Sequence, residues 1–119
     1  MKFLSIYTPD PGKPADFGPD KQQRMGALIQ QGLSDGSLLH TGGLLPQGSA
    51  RIGLSGGKIT VTDGPYAEAK EVIAGYALIE VESYEAAIEY SKRFLEIAGD
   101  GVSELHRIIE SDANCAPSP

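Results

Sequence analysis

The run from Val72 to Val81, VIAGYALIEV, constrains this fold more than any other stretch of the chain. In extended backbone successive side chains point to opposite faces. Ile73, Ala77, Ile79 and Val81 therefore share one face, and Ala74, Tyr76 and Leu78 share the other. Both faces are apolar. A strand apolar on both sides is covered on both sides, so residues 72–82 are expected in the middle of a layered structure.

The flanking segments supply the first layer. Residues 2–8 alternate and are rich in β-formers, which predicts a strand. Residues 8–19 hold four prolines and two glycines and read as a loop, either a pocket wall or a mobile surface segment. Met25, Leu28, Ile29 and Leu33 recur at helical spacing, which predicts a helix over 20–35 with Gly36 just past its end. Gly26 and Gly32 each weaken that helix by about 1 kcal/mol relative to Ala, unless close packing against a strand requires them. A strand over 37–45 follows, ending at Pro46.

Residues 50–55 and 58–62 flank Gly56-Gly57, a two-residue hairpin signal. After the long strand, Ser83 is placed to cap a second helix. Its stripe is Tyr84, Ala87, Ile88, Ser91, Phe94, Leu95 and Ala98, and Gly99 stops it. A last strand is expected over 102–110.

The order is β-α-β, an inserted hairpin, then β-α-β. In one antiparallel sheet this gives an α+β protein with a ferredoxin-like plait. Two helices cover one face only, so the other apolar face calls for a second copy of the chain and a homodimer packed sheet to sheet, in a dimeric α/β-barrel-like assembly. Residues 1–110 form the one expected domain. Residues 111–119, which include the single cysteine Cys115, are expected to be a disordered tail. One cysteine makes no intramolecular disulfide.

A net charge of −6 with no cluster of Lys or Arg repels phosphate backbones and anionic lipid, so neither nucleic acid nor membrane is expected as a partner. The apolar start Phe3-Leu4-Ser5-Ile6-Tyr7 is cut off by Pro9 and Pro11, too short for a leader or a span, and a soluble cytoplasmic protein is expected.

The densest chemistry lies at 63–71, Asp-Gly-Pro-Tyr-Ala-Glu-Ala-Lys-Glu, between two strands. Asp63, crowded by Glu68 and Glu71, is a candidate general acid or base with Glu68 as its partner. The same Asp-Gly-Pro is also a good Asx-turn, the carboxylate bonding its own backbone amides. Lys70 and Glu71 are candidate substrate contacts, or simply a solvated turn. Nothing fixes a metal geometry, so no metal and no cofactor are expected. His40, running into Thr41-Gly42-Gly43, is a candidate proton shuttle or ligand contact, and His106 reads as an ordinary strand histidine. Tyr7 and Tyr76 are candidates to line a pocket, or core tyrosines with one satisfied hydroxyl. The glycine pairs are not phosphate loops, since neither lies between a strand and a helix.

The 63–71 run resembles the DGPFAETKE signature of the YCII-related (DGPF) family, with Tyr66 for its Phe and Ala69 for its Thr. The strands at 57–62 and 75–81 and the closing Val102-Ser103-Glu104-Leu105 fit as well, so the resemblance reaches to Glu110. It implies a dimeric barrel of ferredoxin-like subunits, and most members have no assigned reaction. Some shorter relatives are proposed to use a His–Asp pair with the histidine in the first helix. No histidine lies in 20–35 here, so that pair does not carry over.

Two functions fit these residues. One is a cofactor-free acid/base enzyme or binder for a small organic molecule held in a pocket of the dimer. The other is a non-catalytic ligand-binding or interaction module, in keeping with the family's frequent encoding beside extracytoplasmic-function sigma factors.

Overall fold

A computed structural model describes residues 1–10, 12, 18–45, 48–63 and 74–110. Its elements run β1 (Lys2–Pro9), α1 (Pro19–Asp35), β2 (Leu38–Leu44), β3 (Ala50–Ser55), β4 (Lys58–Asp63), β5 (Ala74–Glu80), α2 (Tyr84–Ala98) and β6 (Gly101–Arg107). The first β-α-β, the hairpin and the second β-α-β all appear in the expected order. The tail expected over 111–119 and most of the loop expected over 8–19 lie outside the described residues.

Four strands form an antiparallel sheet in the order β2-β5-β1-β6. Strands β1 and β2 are thus parallel to each other with β5 between them, and β5 and β6 are parallel with β1 between them. Two interleaved split β-α-β units of this kind make the ferredoxin-like plait. The apolar strand β5 is central, as its two-sided pattern demands. Strands β3 and β4 form a separate two-stranded sheet.

Helix α1 starts one residue before the expected position, because Pro19 takes its first turn and costs no helical donor there. It ends at Gly36, whose φ of 85° is the left-handed cap, and the Ser37 amide donates to the Asp35 carboxylate at 2.9 Å. Helix α2 begins at Ser83, whose hydroxyl accepts the Ala86 amide at 3.1 Å.

Both helices pack on the sheet face that carries Phe3, Ala77 and Ile79. Phe3, Leu38, Ile79 and Ala87 form the buried cluster, with Ile29, Val81, Tyr90 and Leu105 against it. Gly32 does the close packing anticipated for it: a Cβ there would meet Tyr90 Oη and Leu38 Cβ. Gly26 does not, since its Cβ position is open.

Three expectations change. The long strand, expected to reach Glu82, ends at Glu80, and its expected start at Val72 and Ile73 lies outside the described residues. The last strand runs Gly101–Arg107, paired with β1 from Phe3 to Pro9, and the Ile108 amide just beyond it still donates to the Lys2 carbonyl at 2.9 Å. Tyr84, expected in the core stripe, is 57% exposed. It opens α2 at the rim of the sheet, where its ring tilts over Phe3 at 6.5 Å and leaves its far side in solvent.

Candidate functional site

The helix-facing side of the sheet is built from small residues where β2, β5 and β1 meet. Gly43 stands opposite Gly75, Thr41 opposite Ala77, and Ser5 also opposite Ala77. A Cβ at Gly75 would find only ordinary contact, 3.5 Å from a backbone oxygen. The helices arch over this floor with large side chains, Met25, Leu28 and Ile29 from α1 and Tyr90 and Phe94 from α2. Small floor and large roof leave a cavity of about 350 Å³, inside the usual range for ligand pockets, about 300–1,000 Å³.

Every residue lining the cavity is uncharged. Its polarity comes from hydroxyls, several engaged by the protein, with Tyr90 Oη buried and without a hydrogen-bond partner among the described residues. Ser5 Oγ lies 2.8 Å from Ser103 Oγ, and Thr41 Oγ1 donates to the Tyr76 carbonyl at 2.8 Å. Tyr7 donates to the carbonyl of Asp100 at 3.1 Å, with the Gly99 carbonyl at 3.3 Å, and its ring meets Phe94 edge to face at 5.2 Å. Burial, helped by the Asp100 carboxylate, holds the Tyr7 phenol above its ordinary value, so it stays a neutral hydroxyl. Hydroxyls that donate into the fold keep lone pairs free, and so they present acceptors.

A second feature lies on the opposite face of the same sheet. Tyr76 Oη is 2.7 Å from His40 Nδ1, and the rings stack at 5.5 Å and 23°. Gly42, paired with Tyr76, makes room for that ring, since a Cβ there would come within 3.0 Å of it. The pairing on this face also places Leu4, Ile6 and Leu78 beside the dyad, and Val102, Glu104 and His106 at the β6 edge. His106 is exposed, with Nε2 3.9 Å from Glu104.

The structure thus brings the Tyr7 ring to the cavity wall, while Tyr76 borders the cavity on the β5 floor beside its carbonyl and turns its ring to the outer face, where it pairs with His40. Asp63 is separate: it ends β4, opposite Ala50, in the other sheet. Glu68, Lys70 and Glu71 lie outside the described residues. Among the described residues no three His, Cys, Asp or Glu side chains gather as metal ligands, and no helix is long and apolar enough to cross a membrane. Sequence reasoning missed Met25, Leu28, Ser5 and Thr41 as cavity residues. The available signal was the run of small residues at inward positions of β2 and β5.

Sheet order, covering helices and inserted hairpin define an α+β protein of the ferredoxin-like class. The chain belongs to the family of the YCII-related domain, whose model matches residues 1–111. Among solved structures it is similar to the divalent cation tolerance protein CutA1 from Thermus thermophilus, with 8% identity, a TM-score of 0.45, and coverage of 96% of this chain and 90% of that one. No curated protein matches it.

Proposed function

We propose that the protein binds a small, neutral, largely apolar organic molecule in the cavity between the helices and the sheet. The uncharged lining carries this reading. A carboxylate or phosphate entering the cavity would lose its hydration and gain no charged partner there, which is costly. A phenol, alcohol or amide N–H finds acceptor lone pairs on Tyr7 and Thr41 and apolar contact elsewhere.

The working form is a cytoplasmic homodimer. Leu4, Ile6, Tyr76, Leu78 and Val102 share the sheet face that neither helix covers, which supports packing sheet to sheet. Acid/base chemistry at Asp63 and Glu68 is the second part of the reading, cofactor-free, with the His40–Tyr76 pair as a further proton-handling group. A thermal-shift screen tests the binding part, since a ligand at 100 times its Kd stabilises by about 2.7 kcal/mol. Neutral aromatic and aliphatic compounds are expected to raise the melting temperature where their carboxylate analogues do not. Gly75→Val, which fills the cavity from its floor, is expected to abolish the shift. An unchanged shift in that variant would place the binding elsewhere.

A further inference from the structure

We propose that the β3–β4 hairpin is an arm that lays one face on the outer sheet face of a second copy of this chain. The hairpin is two-sided. Its cross-strand pairs Ile52–Val61 and Leu54–Ile59 share one face, with Ala50–Asp63 at the open end of that face, while Arg51–Thr62, Gly53–Thr60 and Ser55–Lys58 share the other. The apolar face is open to solvent: Ile52 is 73% exposed, Leu54 70%, Ile59 66% and Val61 63%. Four large aliphatic side chains in one patch are not ordinary surface. An isolated two-stranded hairpin is also marginal in water and needs cover to persist. Gly56 and Gly57, with φ of 57° and 78°, hold the tight turn that keeps the two strands in this register.

Charge selects the occupant. From Ala50 to Asp63 the charged residues are Arg51, Lys58 and the terminal Asp63, so the hairpin carries +1. The whole chain is −6, which leaves −7 on the remainder. The arm is therefore a basic element of an acidic protein. It is attracted to the body of another copy and repelled by that copy's own arm. Beside the sheet-to-sheet contact the body offers a matching margin on the edge strand β6, the 62% exposed Val102 with Glu104 next on the same face.

Area points the same way. Four strands of about seven residues give a flat footprint on the order of 450 Å². A standard interface needs roughly 800 Å² from each partner. Two six-residue strands add on the order of 200 Å² per protomer, which closes most of the gap. A two-fold axis makes the exchange reciprocal, each copy giving an arm and receiving one.

The proposal rests on the homodimer reading, and the test separates the two. Leu54→Glu/Ile59→Glu is compared with Ser55→Glu/Thr60→Glu, which adds the same charge on the other face of the hairpin. Masses are measured by light scattering across a dilution series, with circular dichroism to check folding. The apolar-face variant is expected to dimerise at least tenfold more weakly, and the polar-face variant to stay close to wild type. Hydrogen exchange of the wild type, read at high and low protein concentration, is expected to show amides of 50–63 protected only in the dimer. A monomeric wild type would overturn the homodimer itself, and the arm with it. A wild-type dimer whose hairpin amides are equally unprotected at both concentrations, or an apolar-face variant that dimerises as tightly, would overturn the arm alone.

Discussion

The hydroxyl of Tyr76 sits 2.7 Å from Nδ1 of His40, across neighbouring strands β2 and β5. This contact depends on an irregularity in β2. Leu38 pairs with Ile79, and His40 pairs with the adjacent Leu78, so the register shifts by one residue at Leu39. In a regular strand His40 would share the face of Leu38, which is 4% exposed in the core. The bulge turns the imidazole to the outer face, where the Tyr76 ring covers it.

That geometry makes the dyad separable from the fold. Tyr76→Phe keeps the stacked ring and removes the hydroxyl, so the expected stability loss is about 0.5–1.5 kcal/mol. The ¹⁵N resonance of His40 Nδ1 is expected to shift in the variant as its hydrogen bond disappears. An unchanged resonance would mean that the pair does not form in solution.

Two glycines of α1 are expected to respond in opposite directions. Gly26→Ala meets open space and gains helix propensity, so it should stabilise by roughly 0.5–1 kcal/mol. Gly32→Ala puts a methyl within 2.7 Å of Leu38 Cβ and closer still to Tyr90 Oη. Overpacking of this kind costs about 1–3 kcal/mol, more than the propensity gained. Urea melts of the two variants check the contrast.

Stability should fall in acid partly through Asp35. The Ser37 hydroxyl and amide hold its carboxyl below the ordinary value of 3.8. A carboxyl depressed in the folded state stabilises above its unfolded pKa, and the contribution is lost as pH falls through the folded one. Asp35→Asn is expected to flatten the stability profile below about pH 4 and leave its slope near neutrality unchanged. A profile of unaltered slope in acid would show that the cap does not couple to folding.

Asp63→Asn separates the turn from the chemistry. An amide keeps an acceptor oxygen, so the melting temperature should change little if the side chain only satisfies backbone amides. As an acid or base it would lose about 10²–10⁴-fold in rate on any substrate found by the ligand screen. Equal turnover by variant and wild type would leave Asp63 a turn residue.

Much of the architecture was legible because it follows from local rules. Ser83, Gly36 and Gly56-Gly57 marked two helix ends and a hairpin, since capping and positive φ are set by one or two residues. The two-sided β5 predicted its own central place. The candidate site was less legible. Tyr7 and Tyr76 were named, but the cavity beside Tyr7 arises where Gly43, Gly75, Ala77 and Ser5, distant in sequence, become one floor, and the Tyr76 ring lies on the other face of the sheet. Tyr84 fitted the helical stripe and still lies in solvent, because periodicity gives a direction but not where the sheet ends beneath it.

The sequence by itself determined the order of elements, their caps and turns, the plait and the family, because periodicity, backbone preference and a contiguous motif are all written along the chain. Only the tertiary structure decided three further things: the face on which His40 emerges, the cavity over the glycine floor, and the exposure of the hairpin's aliphatic side. Each depends on strand register and on what packs above a residue. A shift of one position at Leu39 reverses a side chain's face while leaving composition and periodicity almost untouched.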